Sequence, residues 1–267
     1  MKIKKNLYRL KRLFITINYL KKNFINWDDI IKRAINGNSF PLLLHRNGLK
    51  IKGVDNNTLH IFKEIFIENV YDSKDVFINE NDVVFDVGAN VGIFSLFASK
   101  VKGTKIFSFE PHPINFRVLQ ENIQQNNFTD KVVCIDKALA INEETRYLVE
   151  GEIPGGHKLL NNRDVNSNKS LLKIEAVTIN SILKKYNLDK IDFLKLDCEG
   201  AEGEIINSLG KEGLQKINKI ALEFHDNHSI LNHNQIVEIL EEAGFVVKIN
   251  WDGVSNYGYI FANKINL

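Results

Sequence analysis

From residue 82 onward, short apolar runs alternate with stretches of helical spacing, and this alternation leaves few folds open to the chain. Strands are predicted at Val83–Val87, Lys105–Glu110, Val132–Asp136, Phe193–Asp197, Ile220–Phe224, Phe245–Asn250 and Tyr257–Ala262. Helices are predicted near Gly92–Lys100, Asn115–Asn126, Glu202–Leu209 and Asn232–Ala243. Such alternation implies an α/β fold with a largely parallel sheet covered on both faces. The last two strands are joined through Trp251–Asn256, too short for a helix, so they should lie antiparallel. Between Ile141 and Tyr186 the pattern breaks into an extra strand pair, Tyr147–Val149 and Leu172–Val177, around the loop GEIPGGHKLLNNRDVNSNKS. A loop of that length in a compact domain is a lid, a substrate loop or disordered chain, and His157 and Lys158 within it are candidate acceptor contacts.

Ahead of this region the organisation differs, which divides the chain into an extension, residues 1–78, and a main domain, residues 79–267. Leu7, Leu10, Phe14, Ile17, Leu20 and Phe24 recur at three- and four-residue spacing, the mark of an amphipathic helix. A second short helix is expected at Trp27–Ile35, a hairpin turn at Asn47-Gly48, and another helix over Leu59–Val70. Residues 1–35 carry ten Lys/Arg against Asp28 and Asp29, whereas the remainder carries 25 basic and 31 acidic side chains. The basic helix either packs on its own protein with a solvated face, or contacts an acidic partner or the inner surface of a membrane.

The chain has no run of about 18 apolar residues and no signal-like apolar segment ending in small residues. Its two cysteines, Cys134 and Cys198, are far apart in sequence and read as free thiols, which suits a cytoplasmic location.

The first strand runs into VVFDVGANVGIFSL, where Asp86, Gly88, Asn90 and Gly92 form a strand–turn–helix junction. Ligands of open parallel sheets bind outside the carboxyl ends of the strands, where this turn falls. The dinucleotide pattern G-x-G-x-x-G is absent: the glycines stand four apart, and Asp86 would repel a pyrophosphate. Twenty residues after Asn90 the second strand ends in Glu110, whose carboxylate can accept hydrogen bonds from a ribose diol. A ribose-bearing, cationic cofactor without phosphate describes S-adenosylmethionine.

FDVGANVGIFSL, FEPHP, LKLDCEGAEGEII and LEFH, in that order over roughly residues 82–226, resemble the FkbM family of S-adenosylmethionine-dependent methyltransferases. The resemblance implies a class I methyltransferase fold, Rossmann-like, with a seven-stranded sheet whose last strand is antiparallel. It further implies that Asp86, Gly88, Asn90 and Gly92 hold the amino-acid end of the cofactor and Glu110 its ribose. Adenine is expected near Pro111, His112 and the segment Asp136–Ala138.

A second acidic cluster follows the fourth and fifth strands: Asp197, Glu199 and Glu202, then Glu223, His225 and Asp226. Methyl transfer needs an aligned acceptor, and a hydroxyl acceptor needs a base. His225 is the natural base candidate, since imidazole titrates near neutral pH; Glu199 or Asp197 are alternatives, with Glu223 beside them. HDNHSILNH brings His225, His228 and His233 into one window, and a divalent metal on Asp197 with Glu223 or Asp226 is a further, less favoured alternative. Cys198 has no nearby cation to activate it and reads as a packed side chain.

The expectation is an O-methyltransferase acting on a sugar hydroxyl of a glycan, a glycolipid precursor or a nucleotide sugar, the substrate class coming from the resemblance. The alternatives are a methyltransferase of non-sugar small molecules or lipids, and a noncatalytic cofactor-binding protein. Nucleic acid is not an expected partner, because the basic residues lie outside the catalytic motifs and the site is acidic. Oligomeric state is left open.

Overall fold

The computed structural model describes residues 14–36, 42–55, 57–149, 158–160 and 171–264. Helix α1 covers residues 14–23, followed by α2 (Trp27–Asn36) and the two-residue strands β1 (Leu43–Leu44) and β2 (Lys50–Ile51). Helix α3 (Asn57–Lys63) runs into a π-helical turn at Glu64–Glu68, closed by Asn69 in the left-handed region at φ 51°. The main domain continues with β3 (Val83–Val87), α4 (Ile93–Ser99), β4 (Lys105–Phe109), α5 (Pro113–Gln125), β5 (Val132–Ile135) and β6 (Ala138–Leu139). Next come β7 (Thr145–Val149), β8 (Lys158–Leu160), β9 (Leu171–Val177), α6 (Ile179–Lys185), β10 (Ile191–Leu196) and α7 (Glu202–Leu214). The chain closes with β11 (Ile217–His225), α8 (His233–Glu242), β12 (Phe245–Asn250) and β13 (Tyr257–Lys264).

The main sheet has seven strands in the order β12-β13-β11-β10-β3-β4-β5. All pair in parallel except β13, which runs antiparallel to both β11 and β12. This is the class I methyltransferase sheet, with the antiparallel last strand the sequence pattern implied. Strand β10, at its centre, has all six residues buried, which is why IDFLKL reads as a run rather than an alternation. The order reverses between β3 and β10, so the crevice at their carboxyl ends is where a ligand fits.

Alternate strand residues divide the core in two. Phe85, Phe107, Leu194, Leu196, Ile220 and Leu222 face α6, α7 and α8. Val84, Ile106, Phe193, Ala221 and Phe261 face α4, α5 and the extension. The extension is continuous with this second layer: Phe24, Leu43, Ile51 and Phe62, all fully buried, belong to the same cluster as Phe94 and Leu96. Asn122 of α5 fastens the hairpin by accepting the Lys52 N–H at 2.7 Å and donating to the Lys52 and Val91 carbonyls.

The structure adds helix α6, which the periodicity did not show, and extends α7 to Leu214 across a break at Gly210 (φ 56°, ψ −176°). Strands β6 to β9 form a small sheet of order β6-β9-β7-β8. Arg146 ties it to α7 through Glu204 at 2.6 Å. The expected basic helix is seen from residue 14, with Leu20 and Phe24 in the core and Phe14 and Ile15 exposed; residues 7–13 lie outside the described residues, as does His157.

Removing residues 1–78 strips Phe24, Leu43, Ile51 and Phe62 from the core, each worth roughly 1.5–3 kcal/mol of burial. The truncated chain should therefore be insoluble or lack a cooperative thermal transition. A soluble fragment with the full-length melting temperature would show that the extension is dispensable.

Candidate active site

Beyond the carboxyl ends of β3, β4, β10 and β11 lies a cavity of about 650 Å³. Its floor is the glycine turn after β3, where Gly88, Asn90 and Gly92 all adopt left-handed backbone at φ 74°, 50° and 86°. Asparagine tolerates that region better than other side chains, so Asn90 has a backbone reason to stand between the glycines. A Cβ on Gly88 would lie 1.7 Å from the carbonyl oxygen of Asp197, so the turn and the end of β10 pack too closely for any side chain. Gly88, Asn90, Glu110, Pro111 and Ala138 all line the cavity. The Glu110 carboxylate accepts the Asn90 N–H and the His112 N–H, each at 2.8 Å. Burial raises its pKa to about 7, and the two amides work against that rise.

Four residues assigned by position to the cofactor stand elsewhere. Asp86 is fully buried beneath the turn, where it accepts a hydrogen bond from Ser95 Oγ at 2.6 Å and lies 3.3 Å from Lys195 Nζ. It orders the floor of the site and does not line the cavity. Gly92 faces α5, where a Cβ would come within 2.5 Å of Leu119 Cδ1, so it serves helix packing. His112 is buried at the start of α5, and Asp136 is exposed to solvent; neither lines the cavity. The apolar wall for a base is instead Phe109, Pro111, Ala138 and Leu139.

The opposite half of the cavity gathers the carboxylates. Asp197, Glu199, Glu223 and His225 all line it, as the sequence pattern anticipated. Glu199 sits in left-handed backbone at φ 54°, in a loop organised by Glu202. That carboxylate, fully buried, accepts the N–H groups of Cys198 at 2.7 Å and Gly200 at 2.9 Å. Burial and the charge of Asp197 raise Glu199 to about 7 and Glu223 to about 8. His225 Nδ1 lies 3.4 Å from Glu202, and its Nε2 lies 3.9 Å from both Glu199 and Glu223. Burial opposes charge on this ring, but Glu202, Asp197 and Glu223 outweigh it and raise the pKa to about 10. That favours the imidazolium and weighs against the base role expected of His225 at neutral pH.

One acidic oxygen each from Asp197 and Glu199 and one His225 nitrogen lie within 4.8 Å of one another. These three groups could hold a metal ion. Of the histidine-rich window, His225 and His228 line the cavity, whereas His233 bonds Asp226 at 2.6 Å and stacks on Phe224 at 4.7 Å, which takes Asp226 out of the cluster as well. Cys198 is half-buried, and burial with Glu202 and Asp197 nearby pushes its thiol well above the usual range.

Several lining residues were missed. Lys195 is 3 % exposed, and its ammonium donates to the Gly88 carbonyl at 2.9 Å and stands 3.6 Å from Asp197. A lysine inside the run DFLKLD was a readable signal, because a buried charge needs partners. Asn57, His60, Glu64 and Tyr71 come from the extension, and nothing local in their sequence marks them as site residues.

A profile of the methyltransferase FkbM domain matches residues 86–247. The chain belongs to the FkbM methyltransferase family. It is similar to the AMB antimetabolite synthetase AmbE of Pseudomonas aeruginosa, 27% identical over 245 residues, covering 78% of this chain but only 12% of that protein's length. It is also similar to 31-O-demethyl-FK506 methyltransferase FkbM of Streptomyces tacrolimicus, 24% identical over 218 residues, covering 72% of this chain and 83% of the relative. The hexuronic acid methyltransferase AglP of Haloferax volcanii is 25% identical over 178 residues, covering 65% and 68%.

This FkbM protein is an S-adenosylmethionine-dependent methyltransferase. The cavity fits that cofactor: bare backbone at Gly88, a buried carboxylate at Glu110 for the ribose diol, and an apolar wall for adenine. When bound, it supplies a methyl group activated by a positively charged sulfur. Replacing Glu110 by Ala removes an acceptor for the ribose hydroxyls and frees two amides. We expect cofactor affinity to fall about 30-fold, or roughly 2 kcal/mol, by calorimetry with the fold retained. Unchanged affinity would place the ribose elsewhere.

Proposed function

We propose that this FkbM methyltransferase methylates a sugar hydroxyl, as part of a glycan, a glycolipid precursor or a nucleotide sugar. The observation that carries the reading is Glu199, a cavity-lining carboxyl raised to about 7 and placed among charges that balance it. A general base works best with a pKa near the working pH, and a hydroxyl acceptor is the substrate that requires one. A relative named for hexuronic acid supports a sugar, and one named for a 31-O-demethyl compound supports oxygen as the acceptor atom. Asn57, His60 and Glu64 add hydrogen-bonding groups of the kind a polyol engages. No described helix is long and apolar enough to cross a membrane.

The test is methyl transfer from labelled S-adenosylmethionine to a panel of sugars, nucleotide sugars, lipid-linked sugars and non-sugar alcohols. Transfer confined to non-sugar alcohols would refute the substrate class; retention of cofactor without transfer would favour a binding role.

Proton acceptance by Glu199 requires its ionised form, which is lost as pH falls through about 7. Turnover should rise with pH and level off above that point, standing about tenfold below the plateau one unit lower. An activity flat between pH 5.5 and 8 would exclude this base. His225→Gln removes a cation that favours ionisation of Glu199 and Glu223, so the acidic limb should move to higher pH while the plateau persists. Complete loss of activity at every pH, with cofactor binding intact, would restore His225 as the base.

A further inference from the structure

Tyr71 stands just after the π turn of the extension and is 7 % exposed, its ring edge-on to Phe94 and Tyr259 at 5.6 and 5.7 Å. Its hydroxyl oxygen lies 2.7 Å from Asp197 Oδ2 and 2.9 Å from Glu223 Oε2. A phenol carries one O–H, and an ionised carboxylate carries none. Three oxygens thus make two short contacts, and the tyrosine can supply the proton for only one. The other contact needs a proton from a carboxyl; otherwise two lone pairs would face each other at hydrogen-bonding distance.

The charges around the triad decide which carboxyl carries it. Lys195 Nζ is 3.6 Å from the Asp197 oxygen that Tyr71 touches, and 3.3 Å from Asp86. That cation is paired with Asp197. Glu223 is approached by His225 at 3.9 Å, but the ring is shared with Glu199 and held nearer by Glu202 at 3.4 Å. Glu64, on the π turn, and Tyr259, on β13, add negative or neutral groups on the remaining side. The extra proton therefore belongs on Glu223. The chain runs from the Glu223 O–H to Tyr71 Oη, and from the Tyr71 O–H to Asp197.

We propose that Tyr71 is a positioning residue that donates its O–H to Asp197 and accepts the O–H of Glu223, holding Glu223 as the protonated carboxyl and leaving Glu199 to take the acceptor's proton. This rests on reading the cavity as a methyl-transfer site with a hydroxyl acceptor. The acceptor O–H bond breaks and the proton forms a new O–H bond on Glu199, while Glu223 keeps its own. The extension thereby sets the protonation pattern of a site whose carboxylates come from the main domain.

The experiment is a carbon-13 NMR titration of the ligand-free, full-length protein labelled at the Asp and Glu carboxyl carbons. At pH 7 Glu223 should be predominantly protonated. Tyr71→Phe keeps the ring packing but removes the acceptor of the Glu223 proton, so the Glu223 midpoint should fall by about one unit. The acidic limb of kcat should change while cofactor affinity stays within about twofold, a split that a packing role would not produce. Glu223 ionised at pH 7 in the wild type, or a midpoint that Tyr71→Phe leaves in place or raises, would overturn the proposal. Should the variant not fold, the wild-type titration alone decides. That titration uses no acceptor or cofactor, so its failure leaves the methyltransferase reading intact, and a failed acceptor screen leaves the titration standing.

Discussion

Lys195 sits in a strand whose six residues are all buried, and its ammonium ends among Asp86, Asp197 and the carbonyls of Val87 and Gly88. Burying a charge is costly unless it is paired and hydrogen-bonded on every side, and here it is. Burial works against the charge, yet Asp86 and Asp197 outweigh it and hold the lysine above its usual range. The same contacts bind the glycine turn after β3 to the end of β10. That is why Gly88 lies against the Asp197 carbonyl with no room for a Cβ. The cofactor half and the carboxylate half of the cavity are two sides of one ion-paired junction.

The fold was legible because its signals are local and periodic. The alternation of strands and helices, the antiparallel last strand and the glycine turn follow from apolar period and from Gly88, Asn90 and Gly92. The site was legible only where residues project from strand ends, as Glu110, Asp197, Glu199 and Glu223 do. Spacing alone placed Asp86 with them, but position 86 lies on a strand covered on both faces, so its carboxylate points into the protein and needs Lys195. His225 was legible as a lining residue, but its charge was not. Its residue type suggested a base, while its charge state is set by Glu202, Asp197 and Glu223, which only the pairing of β10 with β11 brings around the ring. Tyr71 and Glu64 had no local signal at all, since what makes them site residues is the folding of the extension against α4.

The charge pattern of the cavity explains why two cations are needed among so many acids. Glu199, Glu202, Glu223 and Asp197 cluster at the ends of β10 and β11, and like charges so placed cannot all ionise. Lys195 stabilises Asp197 from below, and His225 stabilises Glu202 from the side. What remains is a carboxyl pair, Glu199 and Glu223, raised into the neutral range. The histidine thus acts on acid–base chemistry through the carboxyls it faces.

Division of labour in the chain follows from the same geometry. The cofactor cradle is made by strand ends and tight turns within the main sheet, where backbone packing leaves little freedom to vary. The remaining wall comes from α3 and the π turn, a surface element that reaches the cavity only because Phe24, Leu43, Ile51 and Phe62 anchor it. Residues on such an element can change without disturbing the sheet, provided the anchor is kept. On the proposed reading the extension is where acceptor selectivity can be altered independently of cofactor binding, while Tyr71 and Glu64 are points at which it also touches the acid–base machinery.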